Sequence, residues 1–246
     1  MLTFYKLALG PLLLLQGRRV RKTALRLPEA AGPRAGAAYR PEGAFPLRVL
    51  FVGDSSVAGV GVEHQDHALA AQACALLSEN LGTTVEWQIV AKSGVNTREA
   101  LDLVAASELR PADLLVISLG TNDVTTQRSL FQFLGDYQTL VDALTAKVGA
   151  RAVIVTGIPP LHLSPALPLP LRWYIGRYAR KLDAGLRRWA LSDQARSFVS
   201  LQWAGVVTQL ARDGFHPGEA QYSYWAGLVA EHAAAFFSAG ALRAET

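Results

Sequence analysis

The sequence contains a single cysteine, Cys74, in 246 residues. One thiol excludes an intramolecular disulfide framework and any zinc or iron–sulfur site built from several cysteines. Charged residues are also scarce, at 18% against a usual figure of roughly 25%. Because half of the chain is apolar, this low charge argues against disorder and indicates a folded protein with a sizeable core. The length favours one large domain over two small ones.

Positive charge is confined to the start of the chain. Residues 1–40 hold eight Lys or Arg against one acidic residue, Glu29, whereas the other 206 residues hold 16 basic and 19 acidic side chains. The main domain therefore lacks the basic surface with interleaved aromatic residues that nucleic-acid binding requires. We expect no nucleic-acid partner.

Long hydrophobic runs are absent as well. The most apolar stretch, residues 2–15, extends only about 21 Å as a helix, and a hydrocarbon core is about 30 Å thick. Its basic cluster, Arg18 to Lys22, follows the apolar stretch instead of preceding it, which disfavours a secretory signal. Two interpretations of residues 1–27 stay open: a peripheral anchor on the cytoplasmic face of a membrane, or a helix that packs on the domain or caps a pocket. Localisation is accordingly expected to be cytoplasmic or membrane-associated on that side.

Two parts of the chain differ in pattern. Residues 1–46 form an apolar and basic segment followed by an Ala-, Gly- and Pro-rich linker over 28–46, and residues 47–246 form the main domain. In that domain short apolar runs alternate with helical stretches, which is typical of βαβ units and a parallel sheet. Strands are predicted at 48–53, 85–90, 113–120, 150–157 and 197–201, and helices at about 66–80, 97–107, 129–147, 171–191 and 217–237. The expected fold is a three-layer α/β/α sandwich around about five parallel strands.

Polar residues follow the carboxyl ends of these strands, where open α/β sheets place their working groups. Ser55 follows the first strand, Gly94 the second and Asn122 the third, while Asp213 and His216 precede the last helix. A serine nucleophile needs a base within hydrogen-bond reach and donors for the developing oxyanion. These residues fit those roles: Ser55 as nucleophile, His216 as base oriented by Asp213, and Ser55, Gly94 and Asn122 as oxyanion donors.

The same blocks, in the same order, resemble the SGNH hydrolases of the GDSL lipase/esterase family. The matching segments are GDS at 53–55, Gly94 within AKSGVNT, GTND at 120–123 and DGFHP at 213–217. The resemblance spans about 48–237 and implies a flavodoxin-like fold, a Ser55–His216–Asp213 triad and an oxyanion hole of Ser55, Gly94 and Asn122. Ser56 stands where the family name has leucine. The family register assigns the nucleophile to Ser55 instead of its neighbour Ser56.

The segment 158–175 is long for a βα connection and almost entirely apolar, so we predict that it lines the substrate pocket. The alternative is that its leucines only pack the loop onto the domain. The expected pocket residues are Asp54, Ile158, Pro159, Leu161 and Trp173.

Three functions are compatible with these features. The first is hydrolysis of short to medium acyl esters, with lysolipids included, and the second is O-deacetylation of carbohydrates at the same site. The third is a flavodoxin-like binding module, which requires that Ser55 and His216 lie far apart. Neither GxxxxGK nor GxGxxG follows the first strand, which speaks against a nucleotide site. The expected partner is a small-molecule ester, and no cofactor or metal is expected.

Overall fold

The computed structural model describes residues 2–39, 46–207 and 209–244. Helices flank both faces of a six-stranded sheet. The strands are β1 (Ala35–Ala38), β2 (Leu47–Gly53), β3 (Val85–Ala91), β4 (Leu114–Ser118), β5 (Ala152–Thr156) and β6 (Arg196–Val199). The α-helices are α1 (Leu2–Thr23), α2 (Leu69–Leu81), α3 (Thr97–Ala105), α4 (Thr121–Thr125), α5 (Leu130–Val148), α6 (Leu171–Ala190) and α7 (Glu219–Ala244).

The strand order is β1-β3-β2-β4-β5-β6, with every neighbouring pair parallel except β1 and β3. The five parallel strands thus follow the flavodoxin-like order 2-1-3-4-5. After β2 the chain forms β3 on one side of this strand and then β4, β5 and β6 on the other side. The switch point lies between the carboxyl ends of β2 and β4, and ligands of such sheets bind there. The predicted α/β/α sandwich is confirmed.

Side chains of the central strands are buried on both faces because helices cover the whole sheet. Every residue of β4 and β5 is buried. Alternate residues of β2 enter opposite cores: Leu50 and Val52 pack with α3, α5 and α6, and Val49 and Phe51 pack with α2 and α7. Two apolar cores therefore hold the strand ends, and the turns that follow them, in fixed positions.

The linker prediction is wrong for part of its length. Residues Ala35–Ala38 pair antiparallel with β3 as an edge strand, and Ala30 is buried. Alanine and glycine have low strand propensity, so the sequence pattern did not predict this strand. Hydrogen bonds to the edge of β3 stabilise it. Gly36 lies so close to Trp87 that a Cβ would come within 2.6 Å of its ring. Residues 40–45 of the predicted linker lie outside the described residues.

The N-terminal segment is a helix that packs on the domain. Leu13 of α1 is buried in the core on the α6 side of the sheet. Gln16 donates to the Leu169 carbonyl at 2.8 Å and accepts from the Leu171 N–H at 3.1 Å. Tyr5 meets Trp173 edge to face, with ring centroids 4.9 Å apart. Among the described residues, no helix is both long and apolar enough to cross a membrane.

Candidate active site

Ser55 lies at the switch point, in a run of turns over 54–62 that follows β2. The helix predicted at about 66–80 is α2, which begins at Leu69, so Ser55 does not lie at the start of a helix. Backbone hydrogen bonds close the turns instead: the Ala58 N–H donates to Asp54 and the Val60 N–H to Ser55, both at 3.0 Å. The N–H of Ser55 itself donates to no acceptor in the described part of the chain. It is therefore available to a substrate oxygen.

His216 and Asp213 lie on a short hairpin that is closed by an isolated antiparallel bridge between Leu210 and Pro217. His216 Nε2 is 2.9 Å from Ser55 Oγ, and His216 Nδ1 is 2.5 Å from Asp213 Oδ2. The fold thus brings together three side chains that are up to 161 positions apart in sequence. This geometry contradicts the binding-module alternative, which requires a separated Ser55 and His216.

The protonation of Asp213 follows from its contacts. Burial alone would raise the pKa of its carboxyl, but the His216 side chain and the N–H groups of His216 and Phe215 donate to it and hold the pKa below its ordinary value. Both N–H groups reach Oδ1 at 3.0 Å. An ionised carboxylate accepts the Nδ1–H of the imidazole, which leaves the Nε2 lone pair facing the serine. This is the tautomer that a general base needs.

Two residues that the sequence pattern did not identify hold the serine turns in place: Gly61 packs on the histidine hairpin, and Tyr222 contacts the turns from α7. Gly61, at φ +112°, packs so tightly on the Pro217 carbonyl that an added Cβ would lie 2.1 Å from its oxygen. The buried Tyr222 hydroxyl contacts the carbonyls of Ser56 and Val60 at 2.9 and 2.8 Å. Gly61 falls within GDSSVAGVG, yet nothing local indicates that its partner lies 156 residues further along the chain.

Asn122 joins the loops after β2, β3 and β4. Its Nδ2 donates to Asp54 Oδ2 at 3.2 Å and to the Val95 carbonyl at 3.0 Å. Both amide hydrogens of Asn122 are therefore engaged. An oxyanion can accept from Asn122 only if it replaces Asp54 or Val95 as the acceptor, and the bond to Asp54 is the longer of the two. Thr97 also donates its N–H and hydroxyl to the buried Asp123, at 3.0 and 2.9 Å. These bonds join the segments that follow β3 and β4.

Gly94 lies on the exposed turn after β3. Its φ of +86° favours glycine, although an added Cβ would meet nothing within 4 Å. The residue is thus required for its backbone conformation and not by crowding. Its N–H donates to no acceptor among the described residues.

Asp54 is buried beneath this cluster. Its Oδ1 accepts the Ser56 N–H at 3.1 Å while Oδ2 accepts from Asn122. Burial raises the pKa of this carboxyl to about 6, with Asp123 adding to the rise and the Ser56 N–H and His216 opposing it. Asp54 therefore changes charge in a pH range in which ordinary aspartates stay ionised.

A cavity of about 80 Å³ opens beside Ser55 and His216. Of the five predicted pocket residues, Asp54, Pro159 and Leu161 line it and Ile158 and Trp173 do not. Ile158 is buried behind Gly120, and Trp173 faces α1. The sequence did not identify the opposite wall, which comes from the β6–α7 connection and α7: Leu201, Trp203, Ala204, Leu210 and Trp225.

The histidines near the start of α2 have carboxylate partners. His64 pairs with Asp66 at 3.0 Å and His67 with Glu219 at 2.7 Å. Within the described ranges, no three His, Cys, Asp or Glu side chains are grouped so that they could hold a metal ion.

Solved structures with the same fold include several ester hydrolases. A lipase from a goat rumen metagenome is 18% identical, with a TM-score of 0.57 over 76% of this chain and 97% of its own. A carbohydrate acetylesterase from Sinorhizobium meliloti, Est24, is 21% identical, with a TM-score of 0.54 over 77% and 99%. The psychrotrophic esterase EstA from a Pseudoalteromonas species is 17% identical, with a TM-score of 0.56 over 78% and 98%. At these identities the likeness concerns the fold.

No curated protein matches the chain in sequence. The profile of the GDSL-like lipase/acylhydrolase family, in contrast, matches residues 51–224. That range is more than half of the chain and includes the turns after β2, β3 and β4 as well as the histidine hairpin. The chain therefore belongs to the GDSL-like lipase/acylhydrolase family, as the resemblance of its motifs implied.

Proposed function

We propose that the protein is a carboxylester hydrolase that works through an acyl-enzyme on Ser55. The observation that carries this proposal is the continuous hydrogen-bond chain from Ser55 Oγ through the His216 ring to Asp213, at 2.9 and 2.5 Å. Membership of a lipase and acylhydrolase family supports an ester as the substrate.

In the first half-reaction, Ser55 Oγ attacks the ester carbonyl carbon while its proton moves to His216 Nε2. The new Oγ–C bond gives a tetrahedral oxyanion, and Asp213 stabilises the imidazolium. His216 then protonates the alcohol oxygen as the C–O bond breaks, and the acyl group stays on Ser55. In the second half-reaction His216 Nε2 takes a proton from a water molecule, whose oxygen bonds to the acyl carbon. The Oγ–C bond then breaks, His216 returns the proton to Ser55 Oγ, and the acid is released.

The oxyanion requires donors in place before the reaction begins. The free N–H groups of Ser55 and Gly94 are proposed as two of them. Asn122 is proposed as the third, and it reaches the oxyanion by giving up its 3.2 Å bond to Asp54. Asp54 would then position Asn122 in the resting site and is not itself a group that reacts.

The size and lining of the pocket beside Ser55 suit a small, apolar part of the ester. Its volume is about 80 Å³, and five leucines, three prolines and two tryptophans are among the residues that line it. Short to medium acyl esters, including lysolipids, are thus the proposed substrates, since the space fits either a short acyl group or the small side of a larger ester.

Carbohydrate O-deacetylation is the second candidate, because a cavity of this volume suits an acetyl group. A carbohydrate acetylesterase and an acetylxylan esterase are among the proteins with a similar fold. Acetate release from acetylated xylose or cellobiose, at rates above those for p-nitrophenyl acetate, would favour this candidate.

The deciding experiment is hydrolysis of p-nitrophenyl esters from acetate to palmitate by the wild type and by Ser55→Ala. The proposal predicts a preferred chain length and loss of turnover in the variant. Ser56→Ala is the matched comparison, because Ser56 is adjacent and its hydroxyl is not part of the chain to His216. Activity that survives in Ser55→Ala but not in Ser56→Ala would reassign the nucleophile.

We also propose that α1 contacts a membrane peripherally, from the cytoplasmic side. Phe4 and Leu15 are 70% and 66% exposed, and the basic residues Arg18 to Lys22 follow them on the same helix. Apolar anchors beside basic residues favour anionic lipid. Sedimentation with phosphatidylglycerol vesicles should exceed that with phosphatidylcholine vesicles and should fall in Leu15→Ser; equal sedimentation in all cases would contradict this contact.

A further inference from the structure

A second, larger cavity lies between α1 and α6. It is open to solvent and has a volume of about 620 Å³. Leucine, isoleucine and aromatic side chains make up half of its lining residues, and Lys6, Arg18 and Arg21 also line it. The α1 side presents Leu7, Leu13 and Leu14, of which Leu7 and Leu14 are 77% and 64% exposed. Such a volume is within the range of about 300–1,000 Å³ that small-molecule sites occupy, and exposed apolar surface of this kind marks a binding site.

Gly17 of α1 is one of the residues that line this cavity. A glycine inside a helix costs about 1 kcal/mol relative to alanine, and the two glycines of α6 show the usual reason for accepting that cost. A Cβ on Gly176 or Gly185 would lie 2.4 Å from His162 or Leu130. Gly17 also lines the cavity, but a Cβ there would meet nothing within 4 Å. A larger side chain at Gly17 therefore has room to extend beside the cavity without a clash at its Cβ.

The large cavity adjoins the candidate active site. Phe215 lines both this cavity and the small pocket beside Ser55, and its ring lies edge to face with that of His216, with centroids 5.3 Å apart. One stretch of chain also contributes walls to both. Leu161 and Leu163 line the small pocket, and Leu167, Leu171 and Ile175 line the large cavity.

We infer that the cavity between α1 and α6 binds the aliphatic acyl chain of the substrate, which extends past Phe215 from the carbonyl carbon at Ser55. The inference rests on the proposed ester hydrolysis and assigns it a substrate class: esters of long-chain fatty acids. An acyl chain covers the exposed Leu7 and Leu14 of α1. The small pocket then receives the alcohol side of the ester. Short acyl groups still react, but gain nothing from the large cavity.

The test compares kcat/KM for p-nitrophenyl acetate, octanoate and dodecanoate in the wild type, Gly17→Leu and Gly17→Phe. Each methylene that the cavity buries should raise kcat/KM about fourfold in the wild type. A side chain that fills the cavity should lower the dodecanoate-to-acetate ratio by about tenfold or more. Gly135→Leu is the matched control: Gly135 is a helical glycine of α5 with nothing within 4 Å of its Cβ position, and it does not line the cavity. Its ratio should equal that of the wild type.

An unchanged ratio in both Gly17 variants, with their helical circular dichroism retained, would overturn the inference. If no ester is hydrolysed at all, the proposed function fails separately, and fluorescence of dansylaminoundecanoate bound to Ser55→Ala tests the cavity alone. Binding that weakens about tenfold or more when Gly17→Phe is added supports an aliphatic chain there. Absent binding, or binding that Gly17→Phe does not change, overturns the inference. A dimer that dissociates in Gly17→Phe while the dodecanoate-to-acetate ratio is unchanged also overturns it, because a second copy of the chain would then occupy the cavity.

Discussion

Replacing Asp213 with asparagine exchanges one carboxylate oxygen for an NH₂ group, which removes the negative charge and reverses the hydrogen bond to the imidazole. Oδ1 of Asp213 accepts the N–H groups of Phe215 and His216, both at 3.0 Å, so the asparagine keeps its oxygen there. Its NH₂ group then faces His216 Nδ1, which Oδ2 contacts at 2.5 Å in the wild type. A donor at this position forces the proton of the neutral ring onto Nε2. The ring then donates toward Ser55 and has no lone pair to accept the serine proton.

The expected effect of Asp213→Asn is a fall in kcat of about 10⁴-fold, equivalent to about 5.5 kcal/mol of transition-state stabilisation, by analogy with the same change in a serine protease triad. KM should change little, because the small pocket and the oxyanion donors are untouched. Steady-state hydrolysis of a p-nitrophenyl ester near pH 8 measures both constants, and urea unfolding checks that the hairpin is intact. A folded variant whose kcat falls less than about tenfold would refute this account of the tautomer.

Three further perturbations test other parts of the site. Asn122→Ala should lower kcat by about 10²-fold with little change in KM, because it removes a donor to the oxyanion. Between pH ~4 and 6 folded Asp54 holds a proton that the unfolded chain has released, so the free energy of unfolding should fall by up to about 3 kcal/mol as pH rises, and urea titrations of Asp54→Asn should lack this fall. Gly120→Ala, at φ +128° and with its Cβ 2.8 Å from Ile158, should lower Tm more than Gly149→Ala, which meets nothing within 4 Å.

The parts of the fold that the sequence predicted are those whose signal is local. A buried parallel strand is a short run of apolar residues, and β4 and β5 stand out for this reason. Strand β1 has no such signal, since its four residues are Ala, Gly, Ala and Ala. Its stability comes from the edge of β3, which is about 50 residues further along the chain. No pattern within residues 28–46 could indicate that partner.

The same distinction separates the candidate site residues. Ser55, Gly94 and Asn122 directly follow strands, and Asp213 and His216 share one turn, so topology alone predicts that they meet. The residues that line the pocket have no such local signal in the sequence. Trp173 was expected in the pocket because its loop is apolar, but its position on α6 turns the ring toward Tyr5 of α1. Which apolar residue faces a cavity depends on what packs beside it, and a single sequence does not show this.

The residues proposed for catalysis and those proposed for acyl-chain selectivity lie in different parts of the chain. The reactive groups lie on turns between residues 53 and 216, within the range 51–224 that the family profile matches. Helix α1 lies outside that range, yet it supplies one wall of the larger cavity through Leu13 and Gly17. A change in α1 can therefore alter which acyl chains fit without moving Ser55 or His216. If the cavity binds substrate, variants in α1 will shift the dodecanoate-to-acetate ratio, whereas variants at Asp213 will lower turnover of both esters alike.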